Sequence, residues 1–214
     1  MKRLDQAIPV ESARRIYDVI GKRYDWFGGY EAQAKERSIE LLGLTPGLKL
    51  LEVGVGTGLQ HRRLQERLAP AGAAFGIDLS HVMLDLTRQR SDAPLCQADA
   101  HNLPFACAAF DRLYASYVLD LLPQADLPGI LSEFRRVLKD DGQIVLVALT
   151  EGVNLPSRLL VAAWKALYTV SPIACAGCRP LQLSALFSQV GFKRIQREVV
   201  VQLALPSEII WAWK

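Results

Sequence analysis

Apolar residues along this chain gather in short runs, and patterns of helical spacing separate the runs. Leu48–Val53 flows directly into a glycine-rich stretch, which is the pattern of a buried strand followed by a tight loop. Ala73–Ile77, ending at Asp78, reads as a second strand, and Leu95–Ala98 and Phe110–Ala115 as a third and fourth. Asp141-Gly142 marks a turn before a fifth, Gln143–Leu149. Helical patterns lie between them over 59–68, from an N-cap at Ser80 to about Arg90, and over Asp126–Leu138. Strand alternating with helix predicts a parallel sheet covered on both faces.

The flanks extend this core. Ile16, Val19, Ile20, Tyr24 and Phe27 recur at helical spacing, so residues 12–27 read as an amphipathic helix. A second helix is expected from about Glu31 to Leu42, with Gly43 closing it. Beyond the fifth strand, 155–170 is a strongly apolar helix containing Leu159, Leu160, Trp164 and Leu167. A helix near 181–190 follows. Phe192–Leu203 reads as a long strand, Pro206-Ser207 as its turn and Ile209–Trp213 as a final strand.

Composition narrows the class. A length of 214 residues suits one α/β domain, and half the residues are apolar. The net charge of +3 is too small to imply a nucleic-acid partner. Its distribution is uneven, however. Lys2, Arg3, Arg14, Arg15, Lys22, Arg23, Lys35 and Arg37 crowd the first forty residues, a basic end able to attract anionic surfaces or simply to form a solvated helix face. No apolar run approaches the ~18 residues of a membrane span, and Asp5 and Glu11 interrupt any signal pattern, so a cytoplasmic protein is expected. Four cysteines, Cys96, Cys107, Cys175 and Cys178, do not make a disulfide framework at this size.

The chemistry starts at Gly54-Val55-Gly56-Thr57-Gly58. A strand turning sharply into a helix needs the backbone freedom of glycine, and missing side chains let a ligand approach the main chain. The helix that follows offers free N–H groups to an anionic group. The G-x-G-x-G spacing differs from the G-x-G-x-x-G of dinucleotide loops, which excludes a nicotinamide reductase, and no G-K-[ST] follows as in a P-loop. Asp78, at the end of the next strand, can accept both hydrogen bonds of a ribose diol. Asp99, after the third strand, places a further carboxylate at a strand end, with the Ala100 N–H beside it.

Leu50-Leu51-Glu52-Val53-Gly54-Val55-Gly56-Thr57-Gly58 resembles the first motif of the Rossmann-like, class I S-adenosylmethionine-dependent methyltransferases. The resemblance is closest over residues of about 45–150. It implies an α/β, doubly wound, mainly parallel seven-stranded sheet with an antiparallel last strand, and S-adenosyl-L-methionine as cofactor. It also implies roles for particular residues. Glu52 organises the loop and the methionine amino group, and Gly54, Val55, Gly56, Thr57 and Gly58 lie against the methionyl and ribose parts. Leu79 and Met83 flank the adenine. Phe110–Ser116 matches the fourth strand, with Ser116 at the end facing the reacting methyl group. The division expected is 1–44 as lid helices, 45–150 as cofactor-binding core, 151–190 as substrate cover and 191–214 as a strand pair, all in one domain.

The acceptor is less well marked. Methyl transfer from a sulfonium needs alignment and exclusion of water more than a general base. Tyr17 and Tyr24 are candidate lid residues by resemblance, and His101, beside Asp99, is the candidate histidine. His61 and His81 read as surface or structural. Arg179, next to Gly177, is a candidate for holding an acceptor's phosphate or carboxylate. The wording of the loop and Tyr24-Asp25 resemble soluble bacterial phosphatidylethanolamine N-methyltransferases, and the layout is shared with quinone methyltransferases. The favoured expectation is therefore N-methylation of a phosphatidylethanolamine-type amine. The alternatives are C- or O-methylation of a quinone or phenol, and a cofactor-binding protein without activity. The basic N-terminal helices suit peripheral contact with a membrane holding a lipid acceptor. Cys175 and Cys178 lack the further ligands a metal site needs.

Overall fold

The computed structural model describes residues 9–21 and 28–214. Seven strands form one sheet in the order β3-β2-β1-β4-β5-β7-β6. They are β1 (Lys49–Val53), β2 (Ala73–Asp78), β3 (Leu95–Gln97), β4 (Phe110–Ser116), β5 (Leu138–Leu149), β6 (Lys193–Gln202) and β7 (Leu205–Trp213). β7 runs antiparallel to both its neighbours, and the other pairings are parallel. The helices are α1 (Val10–Ile20), α2 (Ala32–Leu41), α3 (Leu59–Leu68), α4 (His81–Arg88), α5 (Leu127–Val137), α6 (Leu155–Val170) and α7 (Ser184–Val190).

The alternation along β1 shows why the sheet is covered on both sides. Leu50 packs in one core with Leu64, Leu68, Tyr114, Val145 and Ile39. Leu51 and Val53 pack in the other with Ile77, Leu113, Ile144 and the α5 residues Ile130, Leu131 and Phe134. Side chains of period two therefore serve both layers, as in doubly wound proteins. β1 pairs with β2 on one side and β4 on the other, so the strand order reverses beside it. Such a reversal opens a crevice at the strands' carboxyl ends, and β1 there leads straight into the glycine loop.

Two expectations change. The β6–β7 turn is at Leu203-Ala204, with φ of 51° and 64°, while Pro206 and Ser207 are already paired in β7 with Val201 and Val200. Two successive left-handed residues are the tight hairpin geometry that follows the twist of the strands, here built without glycine. Pro206 sits near the start of its strand, where a missing N–H costs least, and its carbonyl accepts from Thr150 N at 3.0 Å. Asp141-Gly142 is an irregularity within β5, since pairing jumps from Phe110–Leu138 to Arg112–Gln143 and Asp141 has φ 63°. Of the 12–27 helix, the described part ends at Ile20 and Gly21; Tyr24, Asp25 and Phe27 lie outside the described residues.

α6 starts with a capping box, Asn154 accepting from Ser157 N and Ser157 from Asn154 N. It buries Ser157, Val161 and Tyr168 against the fold. Its other side is exposed and apolar: Leu155 (69% exposed), Leu159 (64%), Ala162, Ala163, Ala166, Leu167 and Val170 (81%). Among the described residues no helix is long and apolar enough to cross a membrane.

Candidate functional site

A cavity of about 310 Å³ opens at the carboxyl ends of β1, β2 and β4. Its floor is the glycine loop: Glu52, Gly54, Val55, Gly56 and Thr57 line it, whereas Gly58 does not. Asp78, Leu79 and Met83 form one wall, Asp99 and Ala100 the next, and Ser116 and Tyr117 the wall from β4. α1 contributes Arg14 and Tyr17. Residues far apart in sequence meet because every parallel strand ends at the same edge of the sheet.

The loop's shape follows from its neighbours. A Cβ on Gly54 would stand 2.3 Å from Val118 Cγ2, and one on Gly58 2.7 Å from Thr87 Cα. Gly56 differs: its φ is 55°, and nothing lies within 4 Å of where its Cβ would be. Gly54 and Gly58 are thus glycines for packing, and Gly56 faces open space. From α4 and its end, Thr87 Oγ1 donates to Gly56 O (3.0 Å) and Arg90 Nη1 to Thr57 O (2.8 Å).

Free amides were expected here, but most are spent internally. Gly54 N and Val55 N donate to Ile77 O, Gly58 N to Val55 O, and Gly56 N to Asp78 Oδ2 at 2.9 Å. Asp78 Oδ1 also accepts from Ser80 N at 2.9 Å. Burial pushes the Asp78 carboxyl up to about 6, against the pull of those N–H donors. An anionic ligand group would therefore meet side chains first, and among the described residues the cavity's cations are Arg14 and Lys35. Lys35 Nζ is 2.5 Å from Glu31 Oε2 and 5.5 Å from the centre of the Tyr117 ring. In the sequence Lys35 is one of the basic residues that crowd the chain's start, and nothing there aims it at the glycine loop.

Glu52 is buried, and His61 Nδ1 lies 2.8 Å from its Oε2. Burial raises the Glu52 carboxyl, while His61 and Lys35 draw it down. Asp99 Oδ1 accepts from the His101 backbone N–H (2.9 Å) and sits 2.6 Å from His101 Nδ1. His101 Nε2 is 3.2 Å from Asp126 Oδ2. His101 does not line the cavity but braces a carboxylate that does. His81 is exposed and pairs with Asp85. α1 is joined to the Asp78 side of the cavity by a hydrogen bond from Ser80 Oγ to Asp18.

Arg179 is elsewhere. It is only 2% exposed, and it donates to the carbonyls of Asp120 (3.3 Å) and Leu122. This guanidinium holds the turn after β4 to the segment following α6, and it does not line the cavity. Cys175 is buried and Cys178 half-buried, both as free thiols. Behind Tyr117 lies a second, much smaller space of about 10 Å³, walled by Tyr30, Tyr117, Asp120, Trp164 and Cys178 among others. Sequence reading missed Tyr117 and Asp120, which carry no motif of their own.

Residues 50–142 match a family described as "Methyltransferase domain". The demethylmenaquinone methyltransferase of Thermotoga maritima is 33% identical over 143 residues, 64% of this chain and 61% of that protein. The ubiquinone/menaquinone biosynthesis C-methyltransferase UbiE of Cupriavidus necator is 25% identical over 160 residues, 70% of this chain and 65% of its own length. The chain thus spans less than two thirds of the length of these relatives. A SAM-dependent methyltransferase from Aquifex aeolicus superposes with a TM-score of 0.65 at 16% identity, covering 92% of this chain and 97% of that one. The segment that carries the glycine loop, Asp78, Asp99 and β4 is thus the part that is similar to a methyltransferase domain, and the sheet has the Rossmann-like fold.

Proposed function

We propose that this chain is an S-adenosylmethionine-dependent methyltransferase acting on a small apolar acceptor, and that the acceptor is a quinol-type ring methylated at carbon. The observation that carries the cofactor is the open space over Gly56 with Asp78 and Asp99 on adjoining walls. When bound, the cofactor supplies a methyl group on a positively charged sulfur. Asp78 accepts from the ribose hydroxyls, exchanging its bond from Gly56 N for them, and Asp99 accepts from the adenine amino group. Leu79 and Met83 pack on the adenine. Glu52, held by His61, faces the methionine amino group, and Lys35 and Arg14 offer cations for its carboxylate. Tyr17 on α1 covers the cavity and helps exclude water, so that alignment does most of the catalytic work.

The similarity to quinone methyltransferases favours ring carbon over the phosphatidylethanolamine amine that the loop wording first suggested. The amine remains as the second reading because a buried acid, Asp120, adjoins Tyr117 and would favour a cationic group, while Glu31 beside it is already paired with Lys35. In either case the acceptor is lipid-like, and the protein works in the cytoplasm at a membrane surface. The outward face of α6 supports this: it is apolar, while the helix carries Arg158 and Lys165 and no acid. That face is about 24 Å long at helical rise.

The test is methyl transfer from labelled cofactor to a demethylated naphthoquinol and to phosphatidylethanolamine in mixed micelles. Label in the quinol ring is the expected result. Label in the phospholipid alone would replace the first reading by the second.

A further inference from the structure

Asp120 is 0% exposed, and its Oδ1 has no hydrogen-bond partner among the described residues. Oδ2 accepts a long bond from Leu149 N, at 3.3 Å, and the charge of the buried Arg179 also acts on the carboxylate. A buried acceptor left without a donor costs roughly 1–3 kcal/mol, and native proteins rarely keep one without a use for it. Asp120 lies in the turn directly after β4, where its neighbours Val118, Leu121 and Leu122 line the main cavity. Asp120 itself faces the small chamber with Tyr30, Tyr117, Trp164 and Cys178.

The two spaces adjoin. Tyr117 is in the wall of both. Tyr17, in the main cavity wall, has its hydroxyl 4.0 Å from Cys178 Sγ in the chamber wall. Tyr117 also has φ 55°, a left-handed conformation that an aromatic L-residue adopts at a cost. The β4–β5 register ends one residue earlier, at Ser116, although Tyr117 N still donates to Val147 O (2.8 Å) and its hydroxyl lies 2.6 Å from Ser207 Oγ. A carboxylate with an unpartnered oxygen and a strained tyrosine thus fall on the same partition, beside the end of β4.

We infer that the chamber behind Tyr117 is the closed form of an acceptor-head subsite, in which Asp120 Oδ1 accepts a hydrogen bond from a donor group on an aromatic or amine acceptor. This rests on the reading that the main cavity holds the methyl donor. At about 10 Å³ the chamber now has room for about one water, so the head enters as Tyr17 and Tyr117 turn aside. Tyr30, Tyr117 and Trp164 then offer ring faces, which suit a flat aromatic head or an ammonium equally. The chemistry common to both is an O–H or N–H donor presented to a desolvated carboxylate. Asp120 is on this account a specificity-determining residue, because an acceptor lacking the donor leaves the carboxylate unpaired.

Calorimetry with small probes tests it, on protein loaded with S-adenosylhomocysteine. The probes are 1-naphthol, 1-methoxynaphthalene (the same ring without the donor) and benzylamine. Wild type is expected to bind 1-naphthol, benzylamine or both roughly tenfold or more tightly than 1-methoxynaphthalene. Asp120→Ala should abolish that preference while S-adenosylhomocysteine affinity stays within about twofold. If Asp120→Ala does not fold, Cys178→Leu decides, since the larger side chain fills the chamber and should remove the preference alone. A preference retained in either folded variant, or no preference in wild type, overturns the inference. The naphthol arm against the benzylamine arm tells a hydroxyl head from an amine head. Failure of S-adenosylhomocysteine to bind wild type would instead sink the cofactor reading, and the probe titrations on unloaded protein would still report on Asp120.

Discussion

His61 Nδ1 lies 2.8 Å from Glu52 Oε2, in a part of the protein that solvent does not reach. The last charged residue of β1 is therefore fixed from the helix that follows its own glycine loop, and the loop is closed at both ends by side chains. Removing the histidine leaves a buried carboxylate without its nearest partner. His61→Leu is expected to lose about 2–4 kcal/mol of stability in urea unfolding, and His61→Asn, which keeps a donor, less. An unchanged urea midpoint in His61→Leu would show that the contact contributes nothing.

Asp78 gives the site a pH dependence. Its folded-state value of about 6 lies above the ~3.9 of an unfolded chain. Folding therefore favours the protonated form: the cost of the buried charge is absent below about pH 4, grows as pH rises to about 6 and is constant above it. A ribose diol donating to the carboxylate favours the charged form instead. S-adenosylhomocysteine should bind more weakly as pH falls through about 6, and binding near that pH should release protons, seen as a buffer-dependent enthalpy. Asp78→Asn should flatten the profile and weaken binding roughly tenfold or more. A flat wild-type profile would remove Asp78 from the ribose contact.

The loop glycines should separate fold from binding. Gly54→Ala and Gly58→Ala place a Cβ against Val118 and Thr87, on top of a left-handed backbone, and should each cost about 3 kcal/mol or more of stability. Gly56→Ala meets only the backbone strain, about 1–2 kcal/mol, yet should lose most cofactor affinity because its Cβ enters the ligand's space. Thermal unfolding and S-adenosylhomocysteine titration of the three variants read both effects. Equal stability losses at all three positions would contradict the distinction.

His101 acts through Asp99. Partial burial works against its charge, but the hydrogen bonds and charges of Asp99 and Asp126 prevail, and its value is raised. A raised histidine stabilises fully below the unfolded value of ~6.5 and loses that contribution as pH rises through the folded one. His101→Gln should thus melt below wild type at pH 6, with the gap narrowing toward pH 9. A gap independent of pH would assign His101 a role other than bracing the two carboxylates.

The α6 surface makes the membrane reading testable. Wild type should float with anionic vesicles and much less with neutral ones, while Leu155→Asp/Leu159→Asp should stay in solution with its cofactor affinity unchanged. Equal recovery of wild type in solution with both vesicle types removes the membrane argument.

The residues that sequence reading grouped most securely share one property. Glu52, Asp78, Asp99 and Ser116 each stand at or just past the end of a parallel strand, so a pattern of strands already implies that they meet. Arg179 lacked such an anchor. A glycine and an arginine in a loop look like an anion site, and only the fold reveals that the main-chain carbonyls of Asp120 and Leu122 absorb the guanidinium. The hairpin at Leu203-Ala204 was hidden because neither residue is a turn former, while Pro206 nearby is one. Asp120 was invisible for a related reason. A lone acid after a strand is ordinary in sequence, and the want of a donor at its Oδ1 is a property of packing alone.

The different surroundings of the three loop glycines carry a consequence for descent. Gly54 and Gly58 are held by their neighbours in the folded chain, whereas nothing in the described chain lies where a side chain at Gly56 would stand. A relative that keeps the outer two while exchanging the middle one would retain the architecture and give up the donor. That single position is where a lineage's drift from enzyme to inactive scaffold would first be written.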